Sequence, residues 1–253
     1  KLVSENRSKS TKTMKDLRCF LLICFFGFSL NAQSLDVVYG VSTELALTKE
    51  QLEKIPAQIR ENYKQSFKNL KYIKFRLQIN DQESLFKMQE SMENEALRGF
   101  AFTKIVAGFS GTYYSNSQED ICLNQVNAFG RGFIISSKMS SIKWQLSKEK
   151  KSIKGFKVYK ATGFEIIKNS AREHEISIIA WYAPEINLAF GPANYVNLPG
   201  LILELKRNRN TYTVESIEEK EVIEIEKPSK GKQVTQAEFE EIGAKVMKNL
   251  GSN

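Results

Sequence analysis

Histidine is almost absent from this sequence, with one residue, His174, in 253. Cysteine is scarce: Cys19 and Cys24 share an apolar run near the start, and only Cys122 lies in the body of the chain. These counts disfavour zinc constellations built from His and Cys, and no Asp-rich calcium loop is present, so no metal or other cofactor is expected. A single thiol in the body cannot close an internal disulfide, so the fold must stand on packing. Five prolines and fourteen glycines exclude collagen-like and Pro/Gly-rich disordered compositions. Polytopic membrane composition is absent too, since a spanning helix requires about 20 apolar residues.

What is present is a 42% hydrophobic fraction beside 26% charged residues, enough to bury a core in one domain or two small ones. The formal charge of +8 invites a nucleic-acid reading. It divides along the chain, however. Residues 1–32 hold six Lys/Arg and two Asp/Glu, which leaves 31 basic and 27 acidic residues, a net of +4, for the remainder. The first methionine is Met14; Lys15 and Arg18 precede the apolar run 19–30, and Asn31-Ala32-Gln33 follows. That order matches a secretory signal peptide, with cleavage expected after Ala32 and residues 1–13 as an upstream extension. The run of about a dozen residues is short for a membrane span. Lipidation of Cys24 is disfavoured, because Ile23 stands where a small residue is needed. The protein is therefore expected to be exported, to the periplasm, the outer-membrane surface or the medium. No membrane span is expected after signal removal, and no nucleic-acid partner.

Beyond the signal, residues 33–226 form one β-rich domain by pattern, and 227–253 a linker and C-terminal helix. Thr48 and Gln51 fit a capping box, and Leu52, Ile55, Ile59, Tyr63 and Phe67 recur at helical spacing. Pro56 predicts a kink or two short helices. Ile73, Phe75, Leu77 and Ile79 alternate on one strand, and Glu83–Met88 returns after Asn80-Asp81 as a hairpin. Residues 90–96 fit helix or loop, and 108–118 are mostly loop by composition. Short strands follow at 121–127, 132–136, 142–147, 156–162, 174–182 and 201–207, with 212–216 and 221–226 as further candidates. Pro228–Gly231 is expected to be a linker. Thr235 and Glu238 form a second capping box before a helix with Phe239, Ile242, Val246 and Leu250 on one face. The expected class is α+β: a mostly antiparallel, curved sheet (meander, half-barrel or sandwich-like) with N- and C-terminal helices packed on it. Parallel α/β architecture would need helices between residues 121 and 226, and none is indicated.

Residues 181–205 read Trp-Tyr-Ala-Pro-Glu-Ile-Asn-Leu-Ala-Phe-Gly-Pro-Ala-Asn-Tyr-Val-Asn-Leu-Pro-Gly-Leu-Ile-Leu-Glu-Leu. This block resembles the signature of the GLPGLI family, exported Bacteroidetes proteins named for that hexapeptide, with Asn197 in place of its first glycine. The segments beginning Phe129-Gly-Arg-Gly-Phe133, at Trp144 and at Gly155 resemble the family as well. The resemblance implies an exported protein of unestablished activity and supplies no catalytic residues. Physically, Pro184 and Pro192 stiffen the stretch, and Gly191 and Gly200 admit backbone conformations other residues avoid. Asn197 tolerates left-handed geometry. Trp181, Tyr182, Pro184, Gly191, Pro192, Asn197, Leu198, Pro199, Gly200, Leu201 and Ile202 thus form a shaped corner feeding a core strand, and a candidate binding corner. Arg131, between glycines and aromatics, and Trp144 are secondary candidates.

Catalytic readings are thin. Cys122, His174 and Asn187 or Asn194 occur in cysteine-protease order without a local signature around the thiol. Gly108-Phe-Ser-Gly111 lacks the final glycine of a nucleophile elbow, because Thr112 stands there. Glu224 and Glu226 share a strand face that could hold a cation weakly, but a solvated charged edge is the simpler reading. The expectation is a non-catalytic binding or accessory protein of the cell envelope, with an apolar or peptide-like ligand or an envelope protein as partner. A cysteine hydrolase and a structural subunit of an envelope complex are the alternatives.

Overall fold

The structure, a computed structural model, describes residues 34–44, 47–91, 96–139, 142–168 and 173–250. The expected signal segment therefore lies outside the described residues. The chain is mostly β. Strands β1 (Ser34–Thr43), β2 (Lys74–Ile79), β3 (Glu83–Met88), β4 (Thr112–Asn116), β5 (Ile121–Ala128), β6 (Arg131–Ser137), β7 (Gln145–Ile153), β8 (Phe156–Lys168), β9 (Glu173–Ala183), β10 (Leu201–Arg207), β11 (Asn210–Lys220) and β12 (Lys232–Thr235) form one sheet. Its order is β12-β6-β5-β4-β3-β2-β1-β11-β10-β9-β8-β7. Two antiparallel meanders, β2–β6 and β7–β11, thus flank a central β1, and only β12 runs parallel to its neighbour, β6. Helices α1 (Lys49–Glu53), α2 (Ala57–Asn69), α3 (Phe100–Ala107) and α4 (Gln236–Leu250) are minor elements around it. The mostly antiparallel sheet expected from the pattern is present; it is an open one, and the helices expected beside it are minor.

Local chemistry explains the hairpins. Phe129-Gly130 and Lys154-Gly155 each take two positive φ angles, 52°/75° and 51°/87°. That pair suits the two-residue turn whose twist matches flanking strands. Arg131 sits exposed on β6 beside the first of these turns, and the β5–β6 register runs on without a shift. On β2, Phe75, Leu77 and Ile79 are buried and the residues between them are not, as the alternation predicts. Pro56 does split the first helix in two, and both capping boxes form, with Gln51 N–H donating to Thr48 and Glu238 N–H to Thr235.

Several elements depart from pattern. β1, whose residues Leu35, Val37 and Tyr39 are at most 1% exposed, lies centrally where no strand was expected. Thr112–Asn116 is a strand, not loop, because Tyr113 and Tyr114 pack on opposite faces of the sheet against separate apolar clusters. Helix α3 was unforeseen. Ile59 is 56% exposed, whereas α2 buries Ser66 and Asn69, whose amide donates to Arg98 O. The strand expected at 221–226 does not form. Residues 221–231 instead strap the outer face of the sheet: Ile223 is buried, Ile225 packs on Tyr114, Leu123 and Ile134, and Lys227 pairs with Glu119 at 2.6 Å. The strap ends in β12, after which α4 covers Phe133 and Ile135 with Phe239 and Ile242. Glu224 and Glu226 are exposed on it, as a solvated edge requires.

Candidate functional site

The motif stretch is a folded plug packed into the main core of the sheet. Ile186, Leu188, Phe190, Ala193, Tyr195, Val196 and Leu198 are each at most 6% exposed and belong to the main core. The backbone is closed on itself: Asn197 N–H donates to Ala189 O, Leu201 N–H to Ile186 O and Ile202 N–H to Phe190 O, all at 2.9–3.0 Å. Two side chains from outside pin it. Trp144 Nε1 donates to Val196 O at 2.9 Å, and the Tyr39 hydroxyl of central β1 donates to Ile202 O at 2.7 Å. Such buried backbone acceptors are costly to leave unpaired, so these partners fix the loop.

The expected corner residues divide by exposure. Tyr182, Gly191, Pro192, Leu198, Gly200, Leu201 and Ile202 are buried, Trp181 is half-buried, and Pro184, Asn197 and Pro199 face solvent. Asn197 has φ +67°, so the family's glycine position is a left-handed one that asparagine can fill. The aromatics Phe190, Tyr195 and Tyr182 fill the core instead of lining an open groove.

Below the plug sits a polar network that the sequence offered no sign of. The Tyr195 hydroxyl donates to Glu165 Oε2 at 2.9 Å, and Arg207 Nε donates to the same oxygen at 2.8 Å. Burial raises the Tyr195 hydroxyl well above its ordinary range. Phe109, in the turn before β4, joins this network to the other meander. Its ring lies 6.1 Å from Tyr195, 4.5 Å from Tyr212, 5.7 Å from Tyr113 and 5.6 Å from Phe86. Such edge and tilted pairs add to burial in holding the rings.

Phe109 also contributes to a cleft of about 890 Å³. The cleft opens where the ends of β2 and β3 meet the last turn of α3 and the Gly108–Thr112 run into β4. Lys74 and Arg76 of β2, Lys87 and Met88 of β3, and Lys104 of α3 stand around it. A contiguous motif could not have revealed it, because four separate elements build it.

The catalytic alternative fares differently. Cys122 lies on β5, is 3% exposed, and has Ser115 Oγ at 3.3 Å. Burial pushes its thiol up to about 11. His174 is on β9, and the sheet order places β4, β3, β2, β1, β11 and β10 between these two strands; its side chain lies outside the described residues. Among the described residues no group of three metal-ligating side chains is assembled. Native protein at pH 8 is expected to leave Cys122 unlabelled by iodoacetamide on the timescale that labels urea-unfolded chain, since the thiolate is the reacting form. Rapid stoichiometric labelling of the folded protein, read by intact mass, would revive the hydrolase reading.

Three comparisons bear on these features. No curated protein matches the chain. Of solved structures, one described as PNGF-II in a C2 crystal form is similar over 83% of this chain and 32% of its own, with 13% identity and a TM-score of 0.50. A P21 form of the same protein covers 83% and 33%, with 14% identity and a TM-score of 0.49. The chain thus spans about a third of that protein's length, and the likeness is one of fold. Residues 168–204, which run from the end of β8 through β9 and the plug into β10, match the model of a protein family of unknown function, Porph_ging.

Proposed function

We propose that this is an exported, envelope-associated protein of the GLPGLI kind that acts by binding, not catalysis, and takes its ligand in the cleft beside Phe109. The observation that carries the reading is the cleft itself. Its roughly 890 Å³ falls in the range of small-molecule sites, and it sits on strand ends held by the packed core. The plug, the Tyr195–Glu165–Arg207 network and the aromatic cluster give that framework rigidity, which is what a binding site needs from its support. The buried, protonated thiol of Cys122 argues against the hydrolase alternative.

Two measurements test the proposal. Protein recovered from the envelope is expected to begin at Gln33 by intact mass; a retained 14–32 segment contradicts export by cleavage. Organic extraction of that folded protein is expected to release a small molecule that the Ile105→Arg variant, with its cleft mouth blocked, does not carry. A stoichiometric protein complex with no small molecule would favour the structural-subunit alternative.

A further inference from the structure

The strand that ends the sheet is both open and basic. Among the described residues no strand lies beyond β7, so one of its two edges is unpaired. The Lys154-Gly155 turn fixes which groups face that edge. A two-residue turn makes Ile153 and Phe156 a hydrogen-bonded pair, and bonded and non-bonded pairs then alternate along the ladder. Lys151 is therefore bonded to Val158, whereas Ser152 opposite Lys157 and Lys150 opposite Tyr159 form non-bonded pairs. The N–H and C=O groups of Ser152 and Lys150 thus point outward, away from β8. The register breaks between Leu146 and Lys150, so the open, regular stretch is short, 150–153.

Charge marks the same hairpin. Residues 145–160 hold six lysines, Lys148, Lys150, Lys151, Lys154, Lys157 and Lys160, and one carboxylate, Glu149. Lys160 pairs with Glu149 at 2.9 Å, and Lys151 pairs with Glu204 of β10 at 2.7 Å while lying over the Trp181 ring. Lys148, Lys150 and Lys154 are exposed, with no ion-pair partner among the described residues. The register puts Lys150 and Lys157 on one face of the ribbon, and Lys151 and Lys160 on the other. A flat anionic surface would be met by cations gathered on one face. Cations on both faces suit an added strand, whose side chains alternate between the faces. A second copy of β7 is disfavoured in that place, because edge-to-edge pairing would set lysines against lysines.

We propose that β7 is a docking edge for an extended acidic segment of another protein, which adds to the sheet as one more strand. The outward backbone groups of Lys150 and Ser152 supply the hydrogen bonds, and carboxylates on the incoming strand meet Lys148, Lys150 and Lys154. Strands β1, β11, β10, β9 and β8 separate β7 from β2 at the cleft, so this surface stands independently of the ligand reading above.

The probe is a short fluorescein-labelled peptide of alternating glutamate and valine, titrated into the full chain and followed by anisotropy. Lys150→Gln combined with Lys154→Gln is expected to weaken it about five-fold, the loss of two exposed charge pairs. Ser152→Pro deletes one outward N–H, keeps every charge and spares the ladder to β8; it is expected to weaken the peptide about ten-fold. The same peptide with every backbone amide N-methylated keeps its carboxylates but has no N–H to donate. It puts the question to unaltered protein, whatever Ser152→Pro does to folding, and is expected to bind at least about ten-fold more weakly. Equal binding of the two peptides, or equal binding by the parent and a folded Ser152→Pro protein, would reduce the edge to a charge patch and overturn strand addition. A parent chain that binds phosphatidylglycerol vesicles but neither peptide would assign the lysines to a lipid surface and overturn it as well.

Discussion

Gly200→Ala is expected to cost about 3–5 kcal/mol, lowering the melting temperature by roughly 10 °C. Two independent terms produce this. Gly200 sits at φ +142°, a region that L side chains avoid and that costs of order 1–3 kcal/mol when forced. A Cβ there would also lie 2.2 Å from Ala183 O and 2.6 Å from Ala183 C, both backbone atoms of β9. No side-chain rotation relieves such an overlap, so either β9 or the plug must shift, adding an overpacking cost of similar size. The plug is bonded to itself, to Trp144 and to Tyr39, so a shift there would break several hydrogen bonds together. Asn197 provides the control. Its φ of +67° is one that glycine adopts freely, so Asn197→Gly is expected to stay within about 1 kcal/mol of the parent. Differential scanning calorimetry of the two variants reads the contrast. A Gly200→Ala protein that melts with the parent would mean that the corner is not the rigid element described.

How far the sequence alone reached follows from where each signal resides. Strand β2 and the capping boxes at Thr48 and Thr235 are written in neighbouring residues, and those neighbours decide them. The motif's glycine, asparagine and proline also declared a shaped corner, because backbone geometry limits which residues can stand there. The failures were long-range. Residues 34–43 were given no strand, yet they pair on both sides with β2 and β11 and become the centre of the sheet. Thr112–Asn116 resembled a loop by composition, but ladders to β3 and β4's other neighbour, β5, override local preference. Residues 221–226 had strand-like alternation that was spent instead on packing Ile223 and Ile225 beneath a strap. The cleft was invisible for the same reason: Lys74, Lys87, Lys104 and Phe109 lie on different elements, and only the sheet order brings them to one opening. The Glu165–Arg207 contact likewise joins β8 to β10 across β9, with no sequence pattern to announce it.

Above pH 10 the protein is expected to unfold cooperatively, and tyrosine ionisation is expected to appear only as it does. Tyr39, Tyr195 and Tyr212 are buried phenols and Tyr113 is a half-buried one, and loss of water opposes the ionisation of each; Tyr113 is pushed up to about 12, Tyr39 and Tyr212 are raised further, and Tyr195 is raised well above its ordinary value. The sign follows from proton counts. Between the unfolded value near 10 and the raised native value, the unfolded chain has released the proton and the native chain still holds it, so stability falls as pH rises. Below pH 10 both states hold the proton and the contribution is fully present. Each phenol removes about 1.4 kcal/mol per pH unit in that window, so four remove roughly 6 kcal/mol by pH 11. The Cys122 thiol, raised to about 11, adds to the loss from its ordinary titration range upward. Typical domain stabilities of about 5–15 kcal/mol place the midpoint near pH 11–12. Absorbance at 295 nm, which reports phenolate, is expected to rise in step with the loss of near-UV circular dichroism, after a smaller non-cooperative rise from the exposed tyrosines. If these four phenols titrate near pH 10 while the dichroism persists, their hydroxyls are reached by water in the folded state, and the packed junction of plug, Phe109 cluster and β1 described above does not exist in solution.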